Sequence, residues 1–151
     1  DRGDGWETPV PSKLDGGPRY RCLRASAGKL YACAGDALDH DAFLLGESED
    51  EGKTWSEAYE RMRSTALEYM QFLDLEYGWI SGQTLLALPR DPFLLTTTDG
   101  GRIWRKKPIS GESRVGAIDN FVMESRTTGQ LLIDRTQTGD SGGRHEYYET
   151  N

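Results

Sequence analysis

Zinc patterns, membrane-spanning runs and an excess of positive charge are all missing from this chain. Two Cys and two His make no zinc-ligand spacing. No apolar run approaches the ~18 residues of a membrane-spanning helix, so a soluble chain is expected. Eighteen Lys and Arg against 25 Asp and Glu leave a formal charge of −7. That balance argues against non-specific binding to nucleic acid or anionic lipid, because phosphate affinity comes from clustered cations that release counterions. The basic stretch Arg102 to Lys107 is local and does not reverse it. No Gly-rich phosphate loop opens a helix and no Gly-x-Ser-x-Gly elbow occurs. Neither a cofactor nor a metal is therefore expected. An initiating Met and a basic-then-apolar leader are also missing, which reads as a processed product or an excerpt, and the start assigns no compartment.

Sustained helical periodicity is scarce too, whereas glycine is plentiful, at 18 residues beside six Pro. Many turns and short strands point to an all-β protein, and 151 residues suffice for one domain with a real core. Copies of the turn motif Ser/Thr-x-Asp-x-Gly-x-x-Trp divide the chain. The first fills its required positions with Ser48, Asp50, Gly52 and Trp55, the second with Thr97, Asp99, Gly101 and Trp104. A third appears when the C-terminus is read onward into the N-terminus, with Thr150, Asp1, Gly3 and Trp6. Trp6, Trp55 and Trp104 lie 49 residues apart, a period that means a repeat architecture. The repeats run approximately over 7–55, 56–104 and 105–151, the last completed by 1–6. Thr138 to His145 also fits the motif with His145 replacing Trp, but a box there would shorten the period, so it reads as a hairpin connection.

Each repeat holds four short strands, the content of a β-propeller blade. Residues Ser56 to Asp74 resist this reading. Taken alone they favour a helix, because Tyr59, Met62, Ala66, Met70 and Leu73 make a helical stripe. Their equivalents around Tyr20 to Leu23 and Ile118 to Met123 read as strands, so the repeat favours a strand, with any helix confined to Glu57 to Ser64.

The motif has a mechanical rationale. Its Asp accepts backbone N–H bonds within a turn, its Gly permits a positive φ, its hydroxyl bonds locally, and its Trp leaves the turn to pack between sheets. A structural role is expected for Asp50 and Asp99 rather than a catalytic one. The boxes resemble the Asp-box, or bacterial neuraminidase repeat, of sialidases, certain glucan-cleaving glycosidases, sortilin-type receptors and photosystem II assembly factors. The stretch YMQFLDLEYGWISG with FLLTTTDGGRIW is most similar to the last group. The resemblance implies blades of four antiparallel strands, three per chain. It leaves function open, because the box is shared by unrelated activities.

Three blades cannot close a ring when propellers use about 4 to 8. Two readings follow. Either two chains close a six-bladed homodimer, with Asp1 to Pro11 supplying a strand to a blade begun by the partner's C-terminal strands, or the chain is three blades of a longer propeller. In Asp-box propellers the ligand face lies opposite the boxes. The resemblance puts that face on the connections between blades and on those between second and third strands, where the candidates are Asp39, His40, Asp41, Arg90, Asp91, Arg135 and Asp140. A non-enzymatic scaffold binding a protein or glycan is the first expectation.

A glycoside hydrolase of sialidase or glucanase type is the alternative, with a site shared with a second chain or with further blades. Such an enzyme would draw on Arg90, Arg135, Tyr20 and Asp41, yet the family's Arg-Ile-Pro-type motif is missing and no Tyr-Glu pairing stands out in a loop. Asp36 to Asp41 reads as a polar turn rather than a Ca²⁺ loop, since it lacks the Gly and terminal Glu of an EF-hand.

A two-residue turn at Ala27-Gly28 pairs Ser26 with Lys29 and, stepping outward, Cys22 with Cys33. That places the cysteines about 5.5 Å apart between Cα atoms, within disulfide range. A bridge implies an oxidising compartment, extracellular or periplasmic; two buried reduced thiols are the other reading.

Overall fold

A computed structural model describes residues 20–26, 28–35, 42–60, 62–85, 91–109, 116–135 and 145–150. Among them there is no helix, and none is therefore long and apolar enough to cross a membrane. All regular structure is antiparallel strand, arranged as three sheets in chain order.

Sheet one runs β1 (Tyr20–Ser26), β2 (Lys29–Gly35), β3 (Ala42–Ser48) and β4 (Ser56–Glu57), with β5 (Met62–Arg63) also paired to β3. Sheet two is β6 (Thr65–Phe72), β7 (Gly78–Thr84), β8 (Pro92–Thr97) and β9 (Arg105–Pro108). Sheet three is β10 (Ala117–Met123), β11 (Gly129–Asp134) and β12 (His145–Thr150). In each, the chain moves from strand to neighbouring strand without a crossover. The first strand of every sheet also carries an irregularity of register, between Tyr20 and Cys22, Leu67 and Met70, and Ile118 and Asn120. Such bulges raise the local twist of a strand pair.

The helix entertained near Glu57 to Ser64 is absent. Ser56 and Glu57 pair with Glu47 and Gly46, the Ala58 N–H donates to the Leu45 carbonyl at 2.8 Å, and Met62 and Arg63 pair with Phe43 and Ala42. The segment is thus an interrupted edge strand along β3. Its apolar members Ala58, Tyr59 and Met62 pack against the core between sheets one and two. An unpaired edge of β3 offers several backbone bonds at once, and that outweighs a local helical preference.

Sheet two is the middle layer, and its sequence shows it. Residues 78–83 of β7 are all buried, because both faces of the strand are covered. Alternation then assigns the faces. Ile80, Phe93, Leu95 and Trp104 join Tyr31, Cys33 and Leu45 of sheet one in one apolar cluster. Trp79, pointing the other way, joins Ile118 and Phe121 of sheet three in a second. The outer strand β9 is exposed throughout and reads RKKP, the Lys and Pro composition that discourages further edge pairing.

In the first hairpin Ser26 stands opposite Lys29 and Cys22 opposite Cys33, with Gly28 at φ 78° in the turn. Cys33 is disulfide-bonded and buried. Cys22 is the other cysteine of the chain.

Candidate functional site

The two ends of each sheet carry different chemistry. At one end sit the motif turns, which follow β3 and β8. Ser48, the last residue of β3, donates its hydroxyl to Asp50 Oδ1 at 2.8 Å and accepts the Gly52 N–H at 2.8 Å. Thr97, the last residue of β8, does the same with Asp99 Oδ1 at 2.8 Å and the Gly101 N–H at 2.9 Å. Asp50 Oδ1 also accepts the Thr54 N–H at 2.8 Å, as Asp99 Oδ1 accepts the Ile103 N–H at 3.0 Å. Gly52 and Gly101 share a φ of 87°, which favours glycine. The Trp residues differ. Trp55 Nε1 donates to the Gly52 carbonyl at 3.0 Å, whereas buried Trp104 packs edge-on to Tyr31 and Phe72.

These bonds hold the Asp side chains as carboxylates. The Thr54 hydroxyl, donating to Asp50 Oδ2 at 2.6 Å, and the Thr54 N–H lower Asp50 from 3.8 to about 2. At Asp99 partial burial opposes ionisation but is outweighed by the Ile103 N–H and the Thr97 hydroxyl, so that its pKa is also lowered. Acceptors consumed within their own turn are poorly placed for proton transfer. An open cleft of about 380 Å³ lies beside the second motif, lined by Lys29, Leu75, Glu76, Thr98, Asp99 and Arg102. Lys29 is tied to Glu49 at 2.7 Å and Glu47 at 3.3 Å.

The connections from second to third strands leave the opposite end. Asp39, His40, Asp41, Arg90 and Asp140 lie outside the described residues. Asp91 and Arg135 are described, each at this end of its own sheet. Exposed Asp91 is fixed through its backbone, its N–H donating to Thr84 Oγ1 at 2.9 Å and its carbonyl accepting the Thr84 N–H at 3.2 Å.

Arg135 is at the centre of a polar triangle. Its Nε lies 2.6 Å from Glu146 Oε2, its Nη2 donates to the Tyr148 hydroxyl, and that hydroxyl donates to Glu146 Oε2 at 2.7 Å. The guanidinium also stands 6.0 Å from the Tyr148 ring centre. Burial works against the Arg135 charge, but Tyr148 and Glu146 more than offset it and raise its pKa. Sequence reasoning picked out Arg135 and missed its partners. The signal was their separation by two residues, which puts Glu146 and Tyr148 on one face of β12, opposite Ile133 and Leu131.

The third motif divides at the described boundary. Asp1, Gly3 and Trp6 lie outside the described residues. Thr150 is the last residue of β12, the position that Ser48 and Thr97 hold in β3 and β8. The register extends the match, since Leu30 faces Ser48, Gly78 faces Thr97 and Gly129 faces Thr150. His145 opens β12 with its Nε2 3.8 Å from Asp119 Oδ2. Among the described residues, no group of three His, Cys, Asp or Glu is placed to hold a metal.

No protein-family model and no curated protein matches the chain. One solved structure with a similar fold belongs to a protein assigned as a conserved lipoprotein of Clostridium novyi NT. The two are 8% identical over 90% of this chain and 89% of that one, with a TM-score of 0.52. At that identity the likeness is one of fold alone.

Proposed function

We propose that the three sheets are successive blades of an Asp-box β-propeller, and that the chain is a non-enzymatic scaffold binding a protein or glycan on the loop end. The observation that supports this most is the internal bonding of the two complete motifs. Ser48, Asp50, Thr97 and Asp99 direct their side chains into their own turns, so the box end serves architecture. Recognition then falls to the connections at the far end, where Asp91 immediately precedes β8 and Arg135 immediately follows β11. Their positions at strand ends are the usual setting for a loop-built binding surface. The disulfide at Cys33 supports an extracellular or periplasmic location.

Probing a glycan array and an immobilised peptide library with the wild-type chain tests the scaffold reading. Binding that weakens tenfold or more in Asp91→Ala or Arg135→Ala, and survives Ile103→Ala at the box end, supports it. Binding that depends on Ile103 and ignores both loop-end residues overturns it.

The Arg135 triangle favours a second reading, the glycoside hydrolase. A tyrosine hydroxyl that donates to a carboxylate is an arrangement that activates a phenolic nucleophile. Turnover of fluorogenic sialosides or glucosides that disappears in Tyr148→Phe and Glu146→Gln would establish it. An inactive wild type leaves the scaffold reading in place.

A further inference from the structure

The middle sheet shows how sheets of this chain meet. Sheet one turns Tyr31 toward sheet two, where its hydroxyl donates to the Gly100 carbonyl at 2.7 Å in the second motif. Sheet two turns Trp79 toward sheet three. Tyr31 and Trp79 are equivalent, each following the residue that faces the motif hydroxyl, Leu30 opposite Ser48 and Gly78 opposite Thr97. Each sheet thus has a leading face that meets the trailing face of the next. The two apolar clusters are the two such contacts, one to two and two to three.

Two faces remain outside this series. On sheet three the residue equivalent to Tyr31 and Trp79 is Gln130, which follows Gly129 opposite Thr150 and is exposed. Alternation places Val122, Leu132 and Tyr147 on that same leading face, for Leu131 and Phe121 point back to sheet two. Val122 is 49% exposed and Tyr147 is 76% exposed. On sheet one, Leu23 and Ala32 form a cross-strand pair on the trailing face, away from Tyr31 and Cys33. Leu23 is 39% exposed, and the Trp55 ring crosses Gly46 on this face, where an added Cβ would meet Cε3 at 3.2 Å. A face that solvent covers in a stacked array is normally polar. These two carry apolar side chains instead.

We propose that the leading face of sheet three, centred on Val122 and Tyr147, docks on the trailing face of sheet one, centred on Leu23 and Trp55, in a second copy of this chain. The occupant follows from continuity with the contacts already present: what lies beyond a leading face is a trailing face, and among the described residues the trailing face outside both clusters is that of sheet one. A twofold axis repeats the contact and closes six sheets, within the range of about 4 to 8 for rings of this kind. The contact is head-to-tail between sheets yet closed between chains. Across it Gln130 stands where Tyr31 stands between sheets one and two, so it is directed at the Glu51 carbonyl, the equivalent of Gly100. The inference rests on reading the sheets as blades.

Light scattering coupled to size exclusion tests it. The wild-type chain is expected at about twice its 16.9 kDa mass, with Tyr147→Lys and Leu23→Glu each at the monomer mass and Ile103→Lys still dimeric. Far-UV circular dichroism matching wild type shows that the monomers are folded. Mixing Tyr147→Lys with Leu23→Glu is the sharper test. In the mixed dimer one contact carries opposite charges and the other is wild type, so dimer mass returns. A monomeric wild type, or a dimer indifferent to both substitutions, overturns the docking. A mixture that stays monomeric overturns the head-to-tail geometry. Array binding through Arg135 by a monomeric wild type would leave the scaffold reading standing without the docking.

Discussion

The Tyr31 hydroxyl, on the second strand of sheet one, donates to the Gly100 carbonyl in the motif turn of sheet two at 2.7 Å. A turn that closes one sheet thereby fastens it to its neighbour. Tyr31→Phe keeps the ring contacts with Phe72 and Trp104 but leaves that carbonyl without its partner. A loss of about 1–2 kcal/mol is expected, read as a lower urea midpoint at unchanged slope. An unchanged midpoint would show that the bond contributes nothing net.

Gly101 answers to two constraints at once. Its φ is 87°, and a Cβ there would stand 2.2 Å from Tyr31 Oη. Gly101→Ala is expected to destabilise by about 1–3 kcal/mol from backbone strain alone, with the clash added. The same Cβ would stand 2.4 Å from Tyr31 Cζ, so Gly101→Ala displaces the Tyr31 ring and with it the hydroxyl bond to Gly100, and combining it with Tyr31→Phe is expected to cost less than the two single changes together. Strict additivity in urea denaturation would place the two residues in separate networks.

Much of this arrangement was legible in the sequence, for identifiable reasons. The motif residues bond within eight positions of one another, so their pattern survives translation into a string. The hairpin register was readable because Gly28 marks a short turn and pairing propagates outward from it to Cys22 and Cys33. The segment from Ser56 to Arg63 was readable as strand only through the repeat, since Tyr59 and Met62 fit a helical stripe while their actual burial comes from the core between sheets one and two. The Arg135 triangle was not legible because Glu146 and Tyr148 alternate along a strand and not in a loop. Arg135 meets them only through β11–β12 pairing, a non-local fact.

Acid should loosen the motif turns. Asp50 is held near 2 against an ordinary 3.8, so its folded form favours the carboxylate. A depressed pKa contributes stability that is complete above the unfolded value and disappears as pH falls from about 3.8 toward 2. Asp99 shifts in the same direction. Thermal melts from pH 7 down to 2 should therefore show a falling Tm below about pH 4, shallower in Asp50→Asn than in wild type. An equal slope in both would remove Asp50 from the acid response.

Reduction of the disulfide at Cys33 is expected to lower stability by about 2–4 kcal/mol, chiefly by releasing a constraint on the unfolded chain. Melting with and without a thiol reductant checks this. Coincident curves, with mass spectrometry confirming reduction, would contradict it.

Amide hydrogen exchange at Gly52 and Gly101 tests most directly the claim that the repeated motif builds a repeated turn. Both N–H groups donate to the motif hydroxyl, at 2.8 and 2.9 Å, in turns of matching backbone. Both should be strongly protected, and to a similar degree, with protection at Gly52 lost in Ser48→Ala and that at Gly101 lost in Thr97→Ala. Exchange of either amide at the rate of an unstructured peptide in the wild-type protein would contradict the account.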